Sequence, residues 1–97
     1  MLYNGEGRQV TAGETTAVVT LDKSNASSLS VTVLGNAAVY VLVNATAAEF
    51  NAVYAAGKAI RIQPGYNFTF AANGAFPIAS VAYRTATGTS DIDISAF

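Results

Sequence analysis

Between Lys58 and Ala71 the chain reads KAIRIQPGYNFTFA, and apolar and polar positions alternate on both sides of a turn. Ile60 and Ile62 alternate with Arg61 and Gln63; Tyr66, Phe68 and Phe70 alternate with Asn67 and Thr69. A period of two lines one face of a strand with apolar side chains. The pattern thus predicts two strands, each laying one face on a core. Pro64-Gly65 between them suits a type II turn, because proline pre-sets φ at the first central position and glycine accepts positive φ at the second. The expectation is strand, tight turn, strand, with three aromatic rings facing the core.

The same pattern organises the rest of the chain. Residues 1–7, with Asn4, Gly5 and Gly7, read as a flexible N-terminal arm ahead of a single domain over residues 8–97. A first short strand is predicted over 8–11, and a second over 15–21 (TTAVVTL), where β-branched residues dominate. Leu29, Val31 and Val33 then alternate with Ser28, Ser30 and Thr32, and Gly35-Asn36 fits a two-residue type II′ hairpin. Residues 38–43 (AVYVLV) are apolar on both faces, as in a central strand covered on both sides.

Over 44–57 the period changes. Thr46 and Glu49 form a capping-box pattern, Phe50, Val53 and Tyr54 fall at i, i+3 and i+4, and Gly57 sits where a helix C-terminal glycine belongs. A helix over about 46–56 follows, too short to hold alone and hence docked by its Phe50/Tyr54 face. Asn73-Gly74 signals a type I′ turn, and Pro77 marks a strand start or edge. Residues 78–85 put Ala79, Val81 and Tyr83 on one face; Thr87-Gly88 turns the chain; 89–95 point Ile92 and Ile94 inward and Asp91 and Asp93 outward. About seven or eight short strands with one small helix predict an all-β fold, a β-sandwich or jelly-roll-like domain.

Composition changes this picture in one respect. Of the 97 residues 52% are hydrophobic, enough for a single core, but only 11% are charged, against roughly 25% in an average soluble protein. Six acidic and five basic side chains protect a small domain weakly against association, so part of the surface is expected to be covered by copies of the chain or by a larger partner. The net charge of −1 does not supply the basic footprint of a nucleic-acid binder. The longest apolar run, 37–43, is strand-sized, and the polar opening after Met1-Leu2-Tyr3 reads as no signal peptide. Neither nucleic acid nor membrane is an expected partner.

Candidate chemistry is sparse. The chain has no cysteine and no histidine, which removes thiol nucleophiles, disulfides and the commonest general base and zinc ligand. Asp91 and Asp93 share a strand face but fall short of the six to eight oxygens that calcium takes, and they read as solubilising charges. The sequons at Asn25, Asn44 and Asn67 read as chance in a chain rich in Asn, Ser and Thr. Arg61 and Arg84, on polar strand faces, are candidates for pairing with carboxylates of another subunit. No catalytic, cofactor-binding or metal-binding residue is expected.

The central strand, the short Phe-containing helical link, the stretch GKAIRIQPGYNFTF and the ending IASVAYRTATGTSDIDISAF together resemble small β-rich virion proteins of tailed bacteriophages, in particular capsid decoration (cement) proteins. The resemblance spans most of the chain from about residue 29 and is one of style and element order. It implies a homo-oligomer, often a trimer, that binds the major capsid protein on the outer capsid surface and stabilises the shell. It also implies assembly in the bacterial cytoplasm and no cofactor. The contacts are expected on Met1, Leu2, Tyr3 and Arg8 of the arm and on Phe50 and Tyr54 of the helix. A tail, neck or fibre-base component is the alternative within virions; a carbohydrate-binding β-sandwich module, built on an exposed aromatic platform, is the alternative of another class.

Overall fold

A computed structural model of the chain describes residues 5–22, 26–72 and 77–97. Eight strands and one helix follow in order: β1 (Glu6–Ala12), β2 (Ala17–Thr20), β3 (Ser28–Val33), β4 (Val39–Val43), α1 (Ala47–Ala55), β5 (Ile60–Ile62), β6 (Asn67–Ala71), β7 (Ser80–Thr85) and β8 (Ser90–Ala96). They form two four-stranded antiparallel sheets, ordered β1-β8-β3-β6 and β2-β7-β4-β5. The pairings are nested: β1 with β8, β2 with β7, β3 with β6 and β4 with β5. One long hairpin, rolled so that β3 also meets β8 and β4 also meets β7, produces this order. That is a jelly roll, an eight-stranded double-sheet form of the β-sandwich.

Alternation puts the core between the sheets. Leu29, Val31 and Val33 of β3, Val39 and Val41 of β4, Val81 of β7 and Ile92 and Ile94 of β8 are all at most 1% exposed. A second, smaller apolar layer lies on the outer face of the β7/β4 pair. There α1 packs with Phe50 fully buried, and Ala82 on β7 is buried as well. The expected two-sided cover of 38–43 is thus present, with the inter-sheet core on one side and the helix on the other.

The helix has the ends its sequence predicts. The Thr46 hydroxyl accepts from the Glu49 N–H (3.1 Å), and the Glu49 carboxylate accepts from the Thr46 N–H (2.9 Å), a closed capping box. At the other end Gly57 adopts φ +73°. Its N–H bonds the Tyr54 carbonyl while the Lys58 N–H reaches the Val53 carbonyl, both at 3.0 Å, a Schellman motif.

Four expectations need correction. The turn at Pro64-Gly65 forms, with Gly65 at φ +82° and the Tyr66 N–H bonded to the Gln63 carbonyl, but it joins no hairpin: β5 and β6 lie in opposite sheets. Type II geometry splays the flanking strands, whereas two-residue hairpins take the primed turns. Gly35-Asn36 is likewise no hairpin, because β3 and β4 belong to different sheets. Gly35 has no positive φ; a Cβ there would meet the Ser90 side chain and lie 2.8 Å from Ser90 Cα and 2.9 Å from Asp91 N. Its missing side chain permits close approach of two backbones. The aromatic face of β6 is only partly core: Phe70 is 9% exposed, but Phe68 is 41% and Tyr66 67% exposed. Strand β6 ends its sheet, and β5, at the matching end of the other sheet, has only three residues with which to cover it. Finally, β1 starts at Glu6 and pairs Gly7 with Ser95, so residues 6 and 7 are strand, not arm. The turn at Asn73-Gly74 lies outside the described residues.

Candidate functional site

Among the described residues the large apolar side chains that are exposed are Val18, Leu34, Tyr66, Phe68 and Phe97. Tyr66 and Phe68 share one structure, the run from the Gln63–Tyr66 turn into the free edge strand β6. The Phe68 and Phe70 rings pack at 4.8 Å between centroids, tilted by 54°, so Phe68 continues the buried ring outward. Tyr66, Phe68, Ile62, Gln63 and Arg61 border a shallow concavity of about 190 Å³. A second concavity of about 300 Å³ lies against Tyr40 and Ala86, and Arg61 borders it too. The Arg61 side chain makes no hydrogen bond or ion pair among the described residues and borders both hollows.

The remaining expected site residues fall elsewhere. Met1, Leu2 and Tyr3 lie outside the described residues. Arg8, on β1, is held by Glu6 (3.2 Å) and Asp22 (3.6 Å) at the opposite edge of the sandwich. Phe50 was expected at a contact surface; it is fully buried under α1, and its area is used within the chain. Tyr54 is half-buried, edge-on to Tyr40 at 4.9 Å, with the Arg84 guanidinium 4.3 Å above its ring. Arg84 Nε also donates to the Thr85 carbonyl. Arg84 therefore stacks within its own chain, and of the three strand arginines only the Arg61 side chain has no hydrogen-bond or ion-pair partner among the described residues.

Several of the carboxylates have structural partners. Asp91 accepts a hydrogen bond from Thr11 (2.7 Å), and Glu14 accepts one from the Gly88 N–H (2.7 Å). The Thr46 backbone N–H, then its hydroxyl, holds the Glu49 carboxyl below its ordinary value. Burial pushes the Tyr83 phenol up, with the Arg8 guanidinium pulling against it. Among the described residues no three acidic side chains gather where they could hold a metal ion. Asn44 and Asn67 also have structural partners. Asn44, at φ +57°, donates to the Pro77 carbonyl and accepts from the Ala79 N–H; Asn67 donates to Thr32 across the β3–β6 pair.

Apart from Arg61, none of the residues expected at a contact surface lies in the stretch 58–71, which the sequence singles out as a core-facing pair of strands. Its aromatic period was read as core, whereas two of the three rings form the exposed edge. The available signal was the Pro-Gly turn, whose type II preference disfavours a hairpin and so separates the two strands.

No protein-family model and no curated protein sequence matches the chain. Solved structures do. A transcriptional regulator of the HTH_3 family from Vibrio cholerae superposes with TM-score 0.57 at 14% identity, over 96% of this chain and 43% of that one. A de novo designed double-stranded β-helix gives 0.54 at 14% identity, over 98% and 100%. The Cupin_2 domain of an XRE-family transcriptional regulator from Enterobacter cloacae gives 0.58 at 13%, over 95% and 79%. The chain thus spans less than half of the Vibrio regulator. At these identities the likeness concerns the fold, and it agrees with the rolled, nested pairing of the strands.

Proposed function

We propose that this chain is a structural subunit that works by surface association, a decoration protein that binds the outer face of a bacteriophage capsid as a homo-oligomer and stabilises the shell. The observation that carries the reading is where the apolar side chains go. The space between the sheets is filled by Leu29, Val31, Val33, Val41, Ile92 and Ile94, while Tyr66 and Phe68 remain outside on a free edge. Function then falls to the outer surface, where 5,476 Å² carries six acidic and five basic side chains. Such a surface suits repeated neutral contacts, and many modest contacts over a symmetric shell sum by multivalency. The likeness of sequence style to cement proteins supplies the capsid as the partner.

The test is binding of the purified chain to capsids prepared without it, with the bound copy number measured. Saturable binding in large excess over the copy number of a tail or neck component, together with a raised melting temperature of the shell, is the expected result. Binding at a few copies per particle would move the protein to the tail or neck, and no binding would sink the virion reading.

A further inference from the structure

The four free edges of the sandwich are not alike. Free edges invite pairing with another chain, and proteins blunt them with short strands, inward charges, lysine or proline. On β1, Glu6 and Arg8 stand opposite Ala96 and Ile94, on the inward side of the sheet, and are ion-paired. Strand β2 has four residues and β5 has three, with Arg61 in the middle. Strand β6 has five residues, NFTFA, and residues 63–72 contain no charge and no proline after Pro64. It carries none of the usual protection within its paired length.

Its outward hydrogen-bonding groups follow from its inward ones. The Val33 N–H bonds the Tyr66 carbonyl (3.0 Å) and the Ala72 N–H bonds the Ser27 carbonyl (2.7 Å). Antiparallel alternation then turns the main chain of Tyr66, Phe68, Phe70 and Ala72 toward β3, and that of Asn67, Thr69 and Ala71 away from it. We infer that this edge pairs with β6 of a second copy, antiparallel about a two-fold axis at Phe68. In that register Asn67 and Thr69 of each copy exchange main-chain hydrogen bonds. Phe68 faces its own counterpart at a non-hydrogen-bonded position, where side chains approach most closely, and Tyr66 of each copy lies opposite Phe70 of the other.

The occupant is a second copy because the edge is complementary to itself. It is neutral, so two of them meet without repulsion, and its aromatic stripe reads the same in both directions about Phe68. The size of the contact sets its strength. A whole aromatic side chain presents about 150–250 Å², so at 67% and 41% exposure Tyr66 and Phe68 of two copies bring roughly 400 Å². The paired backbones add to this, and the total stays near the ~1,200 Å² below which interfaces are weak and transient. The dimer therefore dissociates on dilution through the micromolar range.

This inference rests on the reading of the chain as an association subunit, and sedimentation equilibrium over a concentration series tests it separately. The wild-type chain is compared with Thr69→Pro and Phe68→Lys. The proline deletes an outward N–H and leaves the main-chain bonds to β3 in place, losing toward β3 only the Thr69 hydroxyl's contact with Ser30; the lysine puts two like charges at the axis. The expected result is a concentration-dependent dimer for the wild type and a monomer at every concentration for each variant that keeps the wild-type far-UV spectrum and a cooperative melt. A wild-type mass of one copy throughout, a mass of three copies, or a dimer retained by a folded variant would overturn the inference. Capsid binding is scored apart: a dimer with no capsid affinity removes the decoration reading and leaves the edge contact standing.

Discussion

Gly35 and Ser90 show how one residue can be fixed by another far along the chain. The β3–β4 link passes so close to the start of β8 that a Cβ at Gly35 would collide with Ser90 and the Asp91 N. Gly35→Ala is expected to destabilise by about 1–3 kcal/mol, the usual range for overpacking, read as a lowered denaturant midpoint. Ser90→Ala should be close to neutral, since the buried Ser90 hydroxyl has no hydrogen-bond partner among the described residues and its removal leaves none behind. The double variant should recover only a part of the loss, because Ser90 Cα and Asp91 N, both backbone, remain within 2.9 Å of the new methyl. Full recovery would show that the clash is with the hydroxyl alone. At this scale the sequence was readable wherever the cause was local. The capping pair Thr46/Glu49 and the positive φ of Gly57 and Gly65 were legible from neighbours one to four residues away. The reason for Gly35 was not, since it lies 55 positions away at Ser90.

At the scale of elements, α1 is held by its caps and by one buried ring. Phe50→Ala should cost about 3–5 kcal/mol, as buried aromatic truncations do, and release the helix from β4 and β7. Loss of helical ellipticity ahead of the main thermal transition would report this, and a single unchanged transition would refute it. Thr46→Ala should cost about 0.5–2 kcal/mol through the lost cap. The cap also gives a pH dependence. A carboxyl with a lowered folded-state value contributes stability above its ordinary value, and loses it as pH falls through the folded one. The helix is therefore expected to loosen below the ordinary carboxylate range, and Glu49→Gln should flatten that acid limb. The helix was legible because capping, period and C-terminal glycine agreed over a dozen residues. The strands were legible as strands for the same reason, but their partners were not. The type II preference of Pro64-Gly65 speaks against β5 and β6 pairing with each other, but no residue names β4 and β3 as their partners; Tyr66 and Phe68 were misplaced for that reason.

Across the whole molecule, scarcity of charge and an aromatic edge act together. Self-association driven by strand pairing and ring burial should change little between low and high salt, whereas contacts made by ion pairs would weaken as salt screens them. A strongly salt-dependent dimer would point away from β6 and toward Arg61. Alkaline stability is also a property of the whole core. Tyr83 has a raised folded-state value, so the native state holds its proton more tightly than the unfolded chain does. Stability is then intact below the ordinary phenol value and falls as pH rises through and above it. Denaturant midpoints measured on the alkaline side of about 10 should drop, and Tyr83→Phe should reduce the slope.

By itself the sequence determined the all-β class, the strand positions, the helix with both its ends, and the lack of any thiol or imidazole, because each depends on residue type and on spacing within a few positions. It also determined that a charge-poor surface has to be reconciled with water. The tertiary structure decided which strands neighbour which, and thereby which apolar side chains are core and which are surface. Burial is set by the neighbours within a sheet together with the strands facing it, and in a rolled hairpin the in-sheet neighbour comes from far along the chain: β8 for β1, β7 for β2, β6 for β3. The three rings of Tyr66, Phe68 and Phe70 are alike in sequence; the short reach of β5 leaves two of them in solvent.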